Sequence, residues 1–259
     1  RTVLAAGLLL FALGCGSEPT ENAPEAAAKT SPRAEAPPPT PVAAAPVPQA
    51  TQALALALAK FPVIEPGKPP VPLPAAVEFL VPDGEGRPWR MVSVEDPQSN
   101  VFHKAMTYTD SSGKPQLLTA AGSEATLKLW SGPMGSSEPS TLWKKDFGGS
   151  FSRMRDVEIA DLYGDGTQAM AVATHDQGIV AILRPDGKGG FAVEEIDREP
   201  DTFVHEIEIG DLDGDGVLEV YATPSEPNRL DGREQSGSVV RYVPAAGEGR
   251  VVVADLGGR

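Results

Sequence analysis

The chain has 259 residues, and its 22 Lys and Arg against 36 Asp and Glu leave a net charge of −14. Length alone allows one or two domains. So acidic a chain excludes a nucleic-acid partner, because counterion release needs a basic surface, and excludes charge-driven binding to anionic lipid.

In chain order, the first feature is an apolar run from Val3 to Leu13. It is too short to span a bilayer and has the length of a secretory h-region. No Met precedes it, so the expectation is that the sequence starts inside a longer reading frame. Cys15 is the single cysteine, and an unpaired thiol in an exported protein needs an explanation. Ala12-Leu13-Gly14-Cys15 resembles the lipobox of bacterial lipoproteins, with Ala12 where that family prefers Leu. The resemblance implies a signal peptide over 1–15, a lipid on Cys15 and a cell-envelope location. Gly16 after the cysteine, rather than Asp, points to the outer membrane or cell surface, and the membrane is then met only through the lipid.

Residues 16–76 read as a disordered Pro/Ala-rich linker, since Ser17 to Ala75 holds fifteen of the 26 prolines. Such a segment buries too little apolar surface to offset its ordering entropy. Within it, "TQALALALAK" (51–60) is compatible with a short helix.

From residue 77 the sequence repeats. "RDVEIADLYGDGTQAMAVAT" (155–174) and "HEIEIGDLDGDGVLEVYATP" (205–224) superpose at an offset of 50, with a fainter copy at 103–120. The second halves also match, at 77–96, 180–199 and 239–256. Each unit predicts four short alternating strands separated by Gly, Pro, Asp or Asn turns, which at about 50 residues is the length of a propeller blade. The fold class expected is therefore all-β, a β-propeller of four-stranded blades, and a solenoid or sandwich accounts less well for so regular a period. The blades fall at about 103–147, 153–197 and 203–255, preceded by a half-blade at 77–96 that would hold the last two strands of its unit. That makes about three and a half blades where closure takes at least about four. Further sequence is expected to supply the missing blades and the inner strands of the half-blade.

The turn after 205–210 is rich in oxygen donors. Counting Asp211 as position 1, Asp213 and Asp215 stand at 3 and 5, the Val217 carbonyl at 7 and Glu219 at 9. Alternating carboxylates of this kind can wrap a hard cation such as Ca²⁺. An EF-hand would place Glu at position 12 and continue as a helix, but Ala222 stands there and "VLEVYAT" alternates like a strand. With "DFGG" at 146–149, this loop resembles the FG-GAP or VCBS repeat family, and the resemblance implies a calcium-stabilised propeller. Carried over by position, it makes Asp211, Asp213, Asp215, Val217 and Glu219 the main site. Asp161 and Asp165 form a weaker one, since Tyr163 and Ala169 replace two ligands, and the first repeat keeps only Asp110.

His103, Arg155 and His205 stand at equivalent places before the first strand of each repeat and are candidates to line the central channel, with Asp156 and Glu206 beside two of them. No catalytic pattern is recognisable. His175 reads as a turn residue, and Trp89, Trp130 and Trp143 as packing between blades. The function expected is a binding surface for a protein or glycan, with an enzyme of the lyase or dehydratase type acting on sugars at the channel residues as the alternative.

Overall fold

The computed structural model describes residues 52–61, 71–83, 87–110, 112–122, 124–135, 138–148, 152–175, 177–226 and 234–257. Cys15, the signal peptide expected at 1–15 and the linker as far as residue 51 lie outside them. Among the described residues no helix is long and apolar enough to cross a membrane.

The described chain is built of antiparallel strands. The first sheet holds β1 (Leu54–Leu58), β2 (Ala75–Val81) and β3 (Arg90–Asp96). The second holds β4 (Phe102–Thr109), β5 (Pro115–Ala121), β6 (Thr126–Trp130) and β7 (Ser140–Lys144). The third holds β8 (Met154–Ala160), β9 (Ala169–Thr174), β10 (Ile179–Pro185) and β11 (Phe191–Arg198), and the fourth β12 (Phe203–Gly210), β13 (Glu219–Ser225), β14 (Ser238–Val243) and β15 (Glu248–Asp255). In every sheet the spatial order is the chain order. The first strands pack successively, β1 beside β4, β4 beside β8 and β8 beside β12, so they are the inner strands of four neighbouring blades.

Strand β9 explains why the blades stack. Its residues alternate, with Ala169, Ala171 and Ala173 facing the fourth sheet and Met170 and Val172 facing the second. Period-two alternation normally separates core from solvent, but here both faces meet apolar neighbours and the whole strand is buried. The small alanines let the fourth sheet approach, and Tyr242, Ile207 and Val220 fill the space opposite them. On the other side Met154, Leu127 and Leu129 interlock with Met170. Each such side chain, fully buried, contributes about 1.5–3 kcal/mol.

Four expectations are corrected. Residues 51–60 are not helical: Leu54–Leu58 is a strand whose residues pair with Leu80 through Ala76 of β2. Ala and Leu are strong helix formers, but their alternation suits a strand, and cross-strand pairing overrides intrinsic propensity. The linker expected to reach residue 76 therefore gives way to the first sheet by residue 54, and Ala75 and Ala76 are fully buried. The half-blade at 77–96 is also reassigned. Its two strands are the second and third of a sheet, because β1 supplies the inner strand from the N-terminal side. Finally, Trp89 is 58 % exposed just before β3, not packed between blades. Trp130 is buried within its own sheet, edge-on to Phe102 with its indole N–H donating to Thr119 Oγ1, whereas Trp143 packs against Phe147 and the core shared by the second and third sheets.

Candidate functional site

The acidic loop joins β12, which ends at Gly210, to β13, which begins at Glu219. Its shape is written by side chain to backbone hydrogen bonds. Asp211 accepts from the amides of Gly214, Asp215 and Gly216 at 2.8, 3.1 and 3.0 Å, and Asp215 accepts from Val217 at 2.7 Å. Gly214 and Gly216 have φ of +78° and +88°, which glycine adopts without strain. Glu219 is only 2 % exposed and accepts from the Leu212 amide at 3.0 Å, which brings the far end of the loop back to its start. As a result Asp211, Asp213, Asp215 and Glu219 each offer a carboxylate oxygen, and these oxygens all lie within 4.8 Å of one another. Oxygens on opposite sides of a calcium ion lie about 4.6–5.2 Å apart, given bonds of about 2.3–2.6 Å. The donor set, oxygen only and heavily anionic, fits a hard divalent cation. Arg241 approaches it, with Nη1 3.7 Å from Asp213 while Nη2 binds Glu248.

The equivalent loop of the third sheet has the same backbone and a different occupant. Asp161 again accepts from the amides at 165 and 166, at 3.1 and 2.8 Å. Ala169 replaces the glutamate, and continuing the β9–β10 register places Arg184 across from it. The Arg184 guanidinium pairs with Asp165 and stacks 4.5 Å over the Tyr163 ring. Hydrogen bonding from Thr167, together with Arg184, holds the Asp165 carboxyl below the usual range. Here the chain supplies its own cation. In the second sheet Asp110 is engaged by the Ser112 hydroxyl and amide, the Lys114 amide and Gln116, which bring its pKa down to about 2.

At the other end of the inner strands, β4, β8 and β12 each break register at the same place, between Phe102 and Lys104, Met154 and Asp156, and Val204 and Ile207. Such bulges re-aim side chains. They bring His103, Arg155 and His205 into one neighbourhood. Arg155 Nη2 donates to His205 Nδ1 at 3.0 Å, and because arginine cannot accept, His205 is neutral with its proton on Nε2, which lies 3.1 Å from Ser225 Oγ. Burial, and then Arg155, keep the His205 pKa low. Burial, and then the positive field of Arg155, pull His103 down to about 3. His175, read from the sequence as a turn residue, belongs to this group: its ring lies 3.7 Å from that of Phe203.

One residue further along, Asp156 is buried and accepts from the amides of Val157 and Ile207 at 2.8 and 2.9 Å, tying the third sheet to the fourth. Lys104 reaches it at 2.9 Å and also pairs with Glu158. Burial and the adjacent Asp156 push Glu206 up to about 7.

Residues 161–222 match the family model of the FG-GAP-like repeat, from the first aspartate of the third sheet's loop to the middle of β13. That match and the antiparallel meander sheets fit a β-propeller of the FG-GAP/VCBS type. No curated protein matches the chain.

Proposed function

We propose that the chain is a calcium-stabilised β-propeller-like module that presents a binding surface to a protein or glycan partner, held at a bacterial outer membrane or cell surface by a lipid on Cys15. The observation that carries the metal reading is the convergence of four carboxylates, one of them buried, within 4.8 Å in a loop whose backbone hydrogen bonds hold it in shape. Asp211, Asp213, Asp215 and Glu219 would hold the ion, with the Val217 carbonyl beside them. Bound calcium would offset the mutual repulsion of these carboxylates and brace the β12–β13 junction against the neighbouring blade. FG-GAP repeats are typical of non-enzymatic binding modules, in keeping with the residue 161–222 match. The lipobox-like residues and the Pro-rich stretch behind them support a tethered module.

The test is thermal melting of the protein in calcium and in EGTA. A ligand that binds only the folded state at about 100 times its Kd stabilises by about 2.7 kcal/mol, or roughly 5–10 °C for a domain of this size. No difference between the two melts would refute the metal reading. A pull-down with and without chelator tests the binding surface, and enrichment of nothing in either would refute that part. One observation favours the second reading, an enzyme acting on sugars: Glu206, with its pKa near 7, is able to exchange a proton at neutral pH. Release of unsaturated product from acidic polysaccharides, lost in Glu206→Gln, would establish it.

A further inference from the structure

All three histidines of this strongly acidic chain, His103, His175 and His205, gather with Arg153 and Arg155 at one end of the inner strands. Their positions come from three separate blades, and the approach is tight. A Cβ on Gly122 would lie 3.3 Å from His103 Nε2 and 1.8 Å from Val101 Cγ1, so glycine is what lets β5 pass behind that ring. The polar groups here are incompletely satisfied. Arg155 Nε is buried without a hydrogen-bond partner, and in the same turn as His175 both side-chain polar atoms of Gln177, which is 6 % exposed, also have none. A buried donor left unpaired costs its full desolvation, so the Arg155 Nε–H is disposed to take an acceptor.

The chemistry of the donors narrows the ligand. Arg155 Nε can only donate, and His205 commits Nδ1 to Arg155 and its Nε2 proton towards Ser225, which leaves no lone pair for a metal. Among the described residues the histidine nitrogens form no metal-holding group; the one such group is the acidic loop. Of the neighbouring acids, Asp156 and Glu158 are paired with Lys104, and Glu206, which also faces Arg155, is pushed up to about 7 by burial and Asp156, so it is largely uncharged at pH values below that. We infer that this end of the inner strands binds an oxyanion, in which Arg155, flanked by His103 and His205, receives a carboxylate, sulfate or phosphate group. The inference deepens the binding-surface proposal by giving the chemistry of what is bound, and it needs no metal.

The test follows the histidine ring nitrogens by proton–nitrogen correlation NMR in the full chain, in EGTA, at ionic strength held constant with sodium chloride. Sodium sulfate, sodium phosphate and sodium galacturonate are added separately. Saturable shifts of the His205 and His103 rings are expected with at least one of them. Saturation with galacturonate alone assigns the group to an acidic sugar, and with sulfate or phosphate to an inorganic or ester anion. Arg155→Gln should weaken that binding about tenfold or more, the loss expected for a charge-assisted hydrogen bond. Arg155→Lys, which keeps the charge and loses the planar fork, serves where the glutamine variant does not fold, and should also weaken it. Shifts that rise linearly with all three anions mean an adventitious ion only and overturn the inference, as does undiminished affinity in a folded Arg155 variant. Because EGTA is present throughout, saturable binding there stands even if calcium has no effect on melting.

Discussion

Lys128→Met tests whether the first sheet is docked into the propeller or merely lies next to it. Asp96, at the end of β3, is 1 % exposed, and Lys128, on β6 of the next sheet, is 4 % exposed. Their ion pair is completed by Ser99 Oγ donating to Asp96 at 2.6 Å, the Gln98 amide at 3.0 Å, and Gln98 Oε1 accepting from Lys128 at 3.1 Å. Removing one partner of a buried pair strands the other charge and costs about 3–5 kcal/mol. For a domain of this size that is a fall in Tm of about 6–20 °C. The double variant Asp96→Asn/Lys128→Met removes both charges and should recover most of the loss, because a neutral substitute avoids the desolvation cost. Burial alone would raise the Asp96 pKa, but Lys128, Ser99 and the Gln98 amide outweigh it and lower it below 3.8. The pair's contribution is therefore complete above the unfolded aspartate value and is lost as pH falls through the lower folded value. The assay is thermal melting by circular dichroism from pH 7 down to pH 2. If Lys128→Met lowers Tm by less than about 3 °C, a cost near 1 kcal/mol, or if the double variant is as unstable as the sum of the singles, the pair does not fasten the sheets.

Glu219→Gln should remove most of the calcium-dependent rise in Tm while changing the melt in EGTA far less, measured by the same scan. Arg184→Ala should cost no more than about 1 kcal/mol, because its pair with Asp165 is solvent-exposed; a loss above about 2 kcal/mol in urea denaturation would mean that the third sheet's loop depends on that guanidinium for its fold. Glu206→Gln should flatten the decline in stability between the ordinary glutamate value and about pH 7, since a raised folded pKa means that stability is lost as pH rises through that window; an unchanged pH profile would contradict the crowding of Glu206 against Asp156.

The sequence pattern carried the parts of the fold that depend on local periodicity. The offset of 50 between Arg155 and His205 locates two inner strands, and the alternating aspartates with their glycines locate the loop between β12 and β13. The ligand spacing is local, so it is readable. β1 was harder to read because five residues of Ala and Leu between proline-rich flanks satisfy helix propensity as well as strand alternation, and only β2 decides between them. What lies across sheets left no local mark. Nothing near Asp165 in the sequence announces Arg184, nineteen residues on. His175 joins the other histidines through Phe203, a residue of the next blade. Trp89 reads as core by residue type alone, and only its position before β3 exposes it.

Isothermal titration of the chain with calcium addresses the acidic loop most directly. One saturable site per chain is expected, lost in Asp213→Asn/Asp215→Asn, because the four clustered carboxylates lie in a single loop while Arg184 fills the equivalent place one blade earlier. Heat indistinguishable from dilution, or a site that survives the double substitution, would contradict it.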